Sequence, residues 1–405
     1  MTGGSSVALF SAVLAGIGVG QSLAGWWAAA RFSRAVTPPA AEHPPITVLK
    51  PLHGDEPLLE QGLATICAQD YPLWQVVFGV QDPADPAVSV VRRLQARFPD
   101  SDIAVVIDRS EHGTNRKVGN LINMLPAAKH DVLVIADSDL HVRADYLDRL
   151  AASLVQPNVG LVTTLYAGLP ASRLLPALLG ATQITHGFLP GALLARAMGR
   201  QDCLGATMCL RRETLSRIGG LRVLQDHLAD DNLLGRKVQA LGLRVALADT
   251  VPATTVPEAS LGALFRHELR WARTIRALEP LGFAASVLQY PLFWALLAVV
   301  ASAGAAWSWL LLALVWAGRA AGAAGVDRAL AGRWSGPAAG VAFRCPIWLL
   351  PLRDLLSIAV LLTSYAGTRV DWRGHHLHAE ALPADRTPAT NHPDPLRPAE
   401  GLNPR

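Results

Sequence analysis

Residues 2–30 contain no charged side chain, and residues 7–30 form an apolar run long enough to cross a bilayer. A segment in hydrocarbon must satisfy its own backbone hydrogen bonds, so this run is restricted to a membrane-spanning helix. A cleavable leader carries basic residues before its apolar core, and the opening string MTGGSS carries none, so an uncleaved anchor is expected over residues 1–34. Arg31 and Arg34 follow the run at once and place its C-terminal end, with the domain beyond it, on the cytoplasmic side.

The rest of the chain divides by composition. Residues 35–45 (AVTPPAAEHPP) read as a Pro-rich linker, and residues 46–279 as a cytosolic α/β domain. Short β-branched runs at 46–49, 76–80, 103–107 and 132–135 predict buried parallel strands, with helices near 56–68, 87–98 and 118–125 between them. Such βαβ sheets bind ligands at the carboxyl ends of their strands. Residues 280–375 read as a C-terminal membrane region of two or three spans. Its first uncharged stretch, 280–318, is too long for one untilted span and suggests a break near Ser302–Ala306. The last apolar block, 345–367, is interrupted by Arg353 and Asp354. Either these mark function within the membrane, or they pair with each other at the interface and shorten the span. Residues 376–405 are rich in Pro, Asp and Arg and read as a disordered tail.

Charged residues make up 17% of the chain, below the ~25% usual for soluble domains. The net charge of +4 over 405 residues, with no basic stripe, excludes a nucleic-acid partner and suits a bilayer surface. Cys67, Cys203, Cys209 and Cys345 form no C-x-x-C pair and read as buried free thiols.

Five positions carry chemistry. Asp82 follows the strand at 76–80; it suits a nucleoside hydroxyl or base N–H, or simply an Asp-Pro turn. Asp137 and Asp139, one residue apart after V-L-V-I-A, suit a hard divalent cation, Mg²⁺ or Mn²⁺, whose shell a diphosphate completes. Asp230 and Asp231 precede an amphipathic helix; they cap it, or one of them is a general base whose neighbour raises its pKa. His267-Glu268-Leu269-Arg270-Trp271 lies among Arg266, Arg273 and Arg276 at helical spacing. That helix rests on lipid head groups, closes a site, or does both. Lys117 opens a helix after a glycine-containing loop and is either exposed or a phosphate contact.

In order and spacing, the strings VLKPLHGDEP, FGVQDPADPA, NRKVGNLINMLPAAKHDVLVIADSDLHV, GATMCLRRETLSRIGGL, LADDNLLGRKVQALG and HELRWART resemble the ceramide glucosyltransferase family, glycosyltransferase family 21. The resemblance covers roughly residues 7–375, and VDWRGHH, with Trp372-Arg373-Gly374, adds to its C-terminal end. It implies an α/β GT-A domain, with a mixed, mostly parallel sheet flanked by transmembrane helices. It also implies metal-dependent, inverting transfer from a UDP-sugar to a membrane lipid. By this resemblance Asp82 binds the nucleoside, Asp137 and Asp139 hold metal and diphosphate, and Lys117 belongs to the donor site. Asp231 is the catalytic base, and His267, Arg270 and Trp271 form the terminal motif. His267 stands where the family has Gln or Arg, and His186 falls near a family histidine. The Ala-, Arg- and Pro-rich composition suggests a GC-rich bacterial source, hence a multi-pass protein of the bacterial inner membrane. Among bacterial members the layout resembles hopanoid-biosynthesis enzymes, implying N-acetylglucosamine transfer from UDP-N-acetylglucosamine to bacteriohopanetetrol. The alternative is ceramide glucosylation with UDP-glucose, a sphingolipid in place of the hopanoid.

Overall fold

The computed structural model describes residues 3–40, 42–333, 346–367, 369–372 and 375–378. Of the tail read as disordered from residue 376, residues 376–378 instead pair as a strand with Arg369–Asp371, whereas residues 379–405, Cys345, Arg373 and Gly374 lie outside the described residues. Cys67, Cys203 and Cys209 are buried and free.

Ten strands build the central domain: β1 (Ile46–Pro51), β2 (Trp74–Val80), β3 (Asp102–Ile107), β4 (Val132–Ala136), β5 (Leu140–His141), β6 (Val159–Thr163), β7 (Ala167–Pro170), β8 (Thr207–Arg211), β9 (Arg244–Leu247) and β10 (Ala253–Val256). The main sheet has the order β3-β2-β1-β4-β8-β6-β9. The pairs β1–β2, β1–β4, β2–β3 and β6–β9 are parallel, whereas β8 runs antiparallel to both neighbours. The four expected parallel strands are therefore present and adjacent. Val48, Val76, Phe78 and Val134 on one face pack with the helices Leu59–Cys67 and Pro86–Arg97. Leu49, Val77, Leu133 and Ile135 on the other pack with Arg116–Met124 and Asp230–Ala240. Helices on both faces are what continuous apolar strands require. β3 is the exception, being a half-exposed edge. A small sheet, β5-β10-β7, sits beyond the end of β4.

Among the described residues three helices are long and apolar enough to cross a membrane: Gly4–Arg34, Ala306–Leu330 and Ile347–Ser364. A fourth candidate is Pro280–Gln289 with Pro291–Ala301, bent by 64° where Pro291 follows Tyr290. The expected break falls at Ser302–Ala305, where Ala303 and Gly304 both take positive φ, +52° and +77°, and reverse the chain.

The first helix lies along Ala306–Leu330 at close range. A methyl group on Gly318 would come within 2.7 Å of Val19, and one on Gly322 within 3.2 Å of the Ser22 carbonyl. At Gly325 the indole of Trp26 already fills that space. Small residues are what let apolar helices approach when no water drives them together. Gly325→Leu is therefore expected to destabilise the fold by about 1–3 kcal/mol through overpacking. A thermal unfolding midpoint in detergent equal to that of the parent chain would refute this packing.

Arg353 and Asp354 are not hydrogen-bonded partners, which sets aside the mutual pairing that is one of their two readings. Adjacent helical residues point about 100° apart and do not face each other. Arg353 is 1% exposed and forks onto Glu268 through two 2.7 Å bonds, Nη1 to Oε1 and Nη2 to Oε2. It also donates to the Leu179 carbonyl at 3.3 Å and to Ser357 Oγ at 3.2 Å. Asp354 instead accepts from the Leu292 backbone N–H at 3.0 Å.

Candidate active site

Parallel pairing of β1, β2 and β4 brings their carboxyl ends to one edge of the sheet, and acidic residues gather just past it. Asp137 leaves β4 and is held by its own N–H, which donates to the Ala206 carbonyl at 3.2 Å. Two lysines meet it. Lys117 opens the helix Arg116–Met124, capped by the Asn115 side chain, and its Nζ lies 2.6 Å from Asp137 Oδ1. Lys50 ends β1, fully buried, and donates to the Asp137 carbonyl at 2.5 Å. Burial pushes the Lys50 ammonium down to about 8, against the pull of Asp139 and Asp137. Burial would also lower Lys117, but Asp137, Asp230 and Asp231 together raise it above the usual lysine value. The exposed reading of Lys117 is thereby corrected, since its side chain is only 18% exposed.

Asp139 turns into the small sheet, where Thr254 Oγ1 of β10 donates to its Oδ2 at 2.6 Å. Burial, then the Asp137 charge, pushes its carboxyl up to about 6. Ser138, between the two, donates to Glu56 at 2.6 Å.

Asp230 and Asp231 are the first residues of their helix, not its cap. The capping position is Ala229, which has no side-chain bond to give, so the capping reading is set aside. Asp230 lies 3.4 Å from the Asn115 amide nitrogen and feels Lys117 and Asp137. Asp231 packs so closely on Gly205 that a methyl group there would fall 2.7 Å from its Oδ2. Burial, then Asp230, pushes the Asp231 carboxyl up to about 6, while Lys117 opposes.

Asp82 stands apart from this group. It is 61% exposed, accepts from the Ala84 N–H at 3.0 Å in an Asp-Pro turn, and pairs with Arg109 at 3.2 Å. The Ala84 bond holds its carboxyl below the usual carboxylate range. It nonetheless follows β2 at the same edge of the sheet.

The helix Leu261–Leu278 carries the last motif, and Ser260 caps it by accepting from the Ala263 N–H. His267 bonds Glu258 through Nδ1 and meets Trp271 edge-on at 4.5 Å. Trp271 packs in turn against the buried cluster of Ala181, Ile184 and Val256, as do Tyr166 and Phe188. Burial, then Asp231, Asp137 and Asp139, raises the Tyr166 phenol above its usual value, so Tyr166 joins this aromatic wall to the acidic group. Arg270 acts on Glu258, helping hold its carboxyl low against burial, which raises it, and after His267. His186 lies elsewhere, its buried ring 2.7 Å from Asp327.

Among the described residues no three His, Cys, Asp or Glu side chains form a cage for a metal ion. Asp137 and Asp139 are nevertheless a fitting donor set for Mg²⁺ or Mn²⁺, which take one or two carboxylates and leave the remaining positions to phosphate and water. The electrostatics agree. Glu56, Asp137, Asp139, Asp230 and Asp231 gather here against Lys50 and Lys117, so a cation relieves the excess.

Lys50, Glu56, Tyr166, Thr254 and Glu258 are contributors that sequence reasoning did not single out. Lys50 and Glu56 sit within the string VLKPLHGDEP, and only that string could have pointed to them.

A family model described as Glycosyl transferase family 21 matches residues 9–383. Ceramide glucosyltransferase 1 of Caenorhabditis elegans is 22% identical over 243 residues, which are 58% of this chain and 51% of that protein. Ceramide glucosyltransferase of Komagataella phaffii is 31% identical over 131 residues, 31% of this chain and 25% of that protein. The chain thus spans about half the length of the first relative and a quarter of the second. Among solved structures, mannosyltransferase PcManGT from Pyrobaculum calidifontis, in complex with GDP-Man and Mn²⁺, superposes with a TM-score of 0.52 at 22% identity. The match covers 89% of this chain and 99% of that one, a likeness of fold.

Proposed function

The chain belongs to glycosyl transferase family 21, and from that premise we propose that it moves a sugar from a UDP-sugar to a hydroxyl of a membrane lipid, with inversion, at the cytosolic face of a bacterial inner membrane. Its domain has the GT-A fold. The observation that carries the reading is the placement of Asp231, a half-buried carboxylate acting with Asp230, Lys117 and Asp137 beyond the end of β4.

Asp231 takes the proton from the acceptor hydroxyl as that oxygen attacks the anomeric carbon, and UDP departs from the opposite face. A carboxyl near 6 is ionised at neutral pH yet more basic than an exposed aspartate, which suits that task. Asp137 and Asp139 would hold a divalent cation, which neutralises charge on the departing diphosphate. Lys117 moves between Asp137 and the diphosphate, and Asp82 takes the nucleoside. His267, Arg270 and Trp271 close the acceptor side around Tyr166. The first helix and the C-terminal helices hold the domain at the bilayer, with Arg31 and Arg34 on the cytosolic side.

Chelation by EDTA is expected to remove nine-tenths or more of turnover, and Mn²⁺ or Mg²⁺ to restore it. Full turnover in EDTA would remove the metal role of Asp137 and Asp139.

The donor and acceptor we assign are UDP-N-acetylglucosamine and bacteriohopanetetrol, as the motif layout implies. The names of the relatives in Caenorhabditis elegans and Komagataella phaffii favour a second reading, UDP-glucose and ceramide. A transfer assay crossing both donors with both lipids, read by product mass, decides between them. A glycosylated hopanoid supports the first and a glucosylceramide the second. Absence of product from every pair, with UDP bound, refutes both acceptors.

A further inference from the structure

A narrow, partly open cleft lies among the first helix, residues 175–197 and the helix Ala306–Leu330, with about 30 Å³ of room for the centres of water-sized groups. Its walls are mixed, and among apolar residues such as Pro190, Leu194 and Val326 they carry the polar side chains of Ser22, Gln183, His186, Gln289, Arg319 and Asp354. Three buried wall atoms have no hydrogen-bond partner, namely His186 Nδ1, Arg319 Nε and Asp354 Oδ1. Elsewhere the same side chains are satisfied. His186 Nε2 faces Asp327 Oδ1 at 2.7 Å, Arg319 Nη2 donates to the His186 carbonyl at 3.1 Å, and Asp354 Oδ2 accepts from Leu292.

Two of these atoms are placed for a shared partner. Arg319 Nε and Asp354 Oδ1 stand 3.8 Å apart, too far for a direct hydrogen bond and close enough for one oxygen to touch both. That oxygen must accept from Nε–H and donate to Oδ1. A hydroxyl does both. A phosphate or carboxylate ester oxygen only accepts and would face the Asp354 and Asp327 charges, and an ammonium only donates and would face Arg319.

The location ties the cleft to the acidic group. Residues 184–188 wind as a single π-helical turn, a local distortion frequent at functional sites. Phe188, at its end, stacks on Tyr166 at 4.7 Å, and Tyr166 is the ring that feels Asp231. One aromatic pair separates the two places.

We propose that this cleft is a subsite for the hydroxyl-bearing part of a neutral lipid headgroup, gripping the acceptor through a hydroxyl other than the one that reacts. The assignment to the acceptor rests on the reading of the chain as a lipid glycosyltransferase. The grip itself rests on Arg319 Nε and Asp354 Oδ1.

Two variants of the full chain test it. At Gly191 a Cβ meets only Gln289 Oε1, at 3.5 Å, so Gly191→Leu grows into the cleft. Gln289→Leu keeps the volume and removes a polar wall. Native mass spectrometry with added bacteriohopanetetrol, ceramide or phosphatidic acid reads lipid retention without turnover. Both variants, checked for unchanged unfolding midpoints, are expected to retain the neutral lipid about tenfold less than the parent, the worth of about 1.4 kcal/mol. In transfer assays the acceptor KM rises by the same factor while the donor KM stays put. Equal retention by parent and variants means the cleft holds only water and overturns the proposal. Preferential retention of phosphatidic acid overturns it as well. If the neutral lipid is lost from the variants but the parent transfers no sugar, the subsite stands and the transferase reading falls.

Discussion

Asp231→Asn is expected to lower kcat by about 10³-fold, within the range for loss of a positioned general base, with UDP binding nearly unchanged. The substitution keeps the shape of a side chain packed against Gly205, and the bond from the Asn232 N–H at 2.8 Å can persist, so the loss reports on the proton. The pH profile sharpens the test. Because burial and Asp230 push the Asp231 carboxyl up to about 6, the base is lost as pH falls through that value. The rate of the parent chain is therefore expected to drop below about pH 6, and the residual rate of the variant to lack that limb. Turnover within tenfold of the parent would show that Asp231 is not the base.

The second large effect concerns stability. Arg353→Met leaves Glu268 buried and unpaired at 7% exposure, and removal of one partner from such a pair costs about 3–5 kcal/mol. The double variant Arg353→Met with Glu268→Leu removes both charges and is expected to recover most of that loss, since apolar replacements of buried pairs are often neutral. Unfolding midpoints in detergent measure both. A single variant as stable as the parent, or a double variant no better than the single, would show that the fork is not what holds the two helices together.

How much of this was legible beforehand depended on distance along the chain. β1 to β4 announced themselves because strands covered on both faces need uninterrupted apolar residues, and Asp137 and Asp139 were legible because they follow such a strand directly. β5, β7 and β10 are two to four residues long, too short to carry a period, so Thr254, which holds Asp139, gave no sign. Lys50 sits where a strand leaves the core, a place where lysine usually faces water, and only the convergence of Asp137 and Asp139 on it explains its burial. Glu268 hid between His267 and Arg270 in a motif that drew attention to its neighbours. Its partner lies 85 residues on, next to an aspartate that offered a nearer and wrong explanation. Local pattern shows which residues share a face, whereas pairing between distant helices is set by packing.

The fork between Glu268 and Arg353 joins the helix beside the acidic group to a helix apolar enough to sit in lipid, and it does so with two bonds in a fixed plane. Such a joint leaves little play in height. On the function proposed above, the chain is then a gauge of stand-off: it measures how far a hydroxyl projects from the hydrocarbon boundary, and lipids with the same hydroxyl moved one carbon along the headgroup are expected to lose turnover while keeping their grip on the protein.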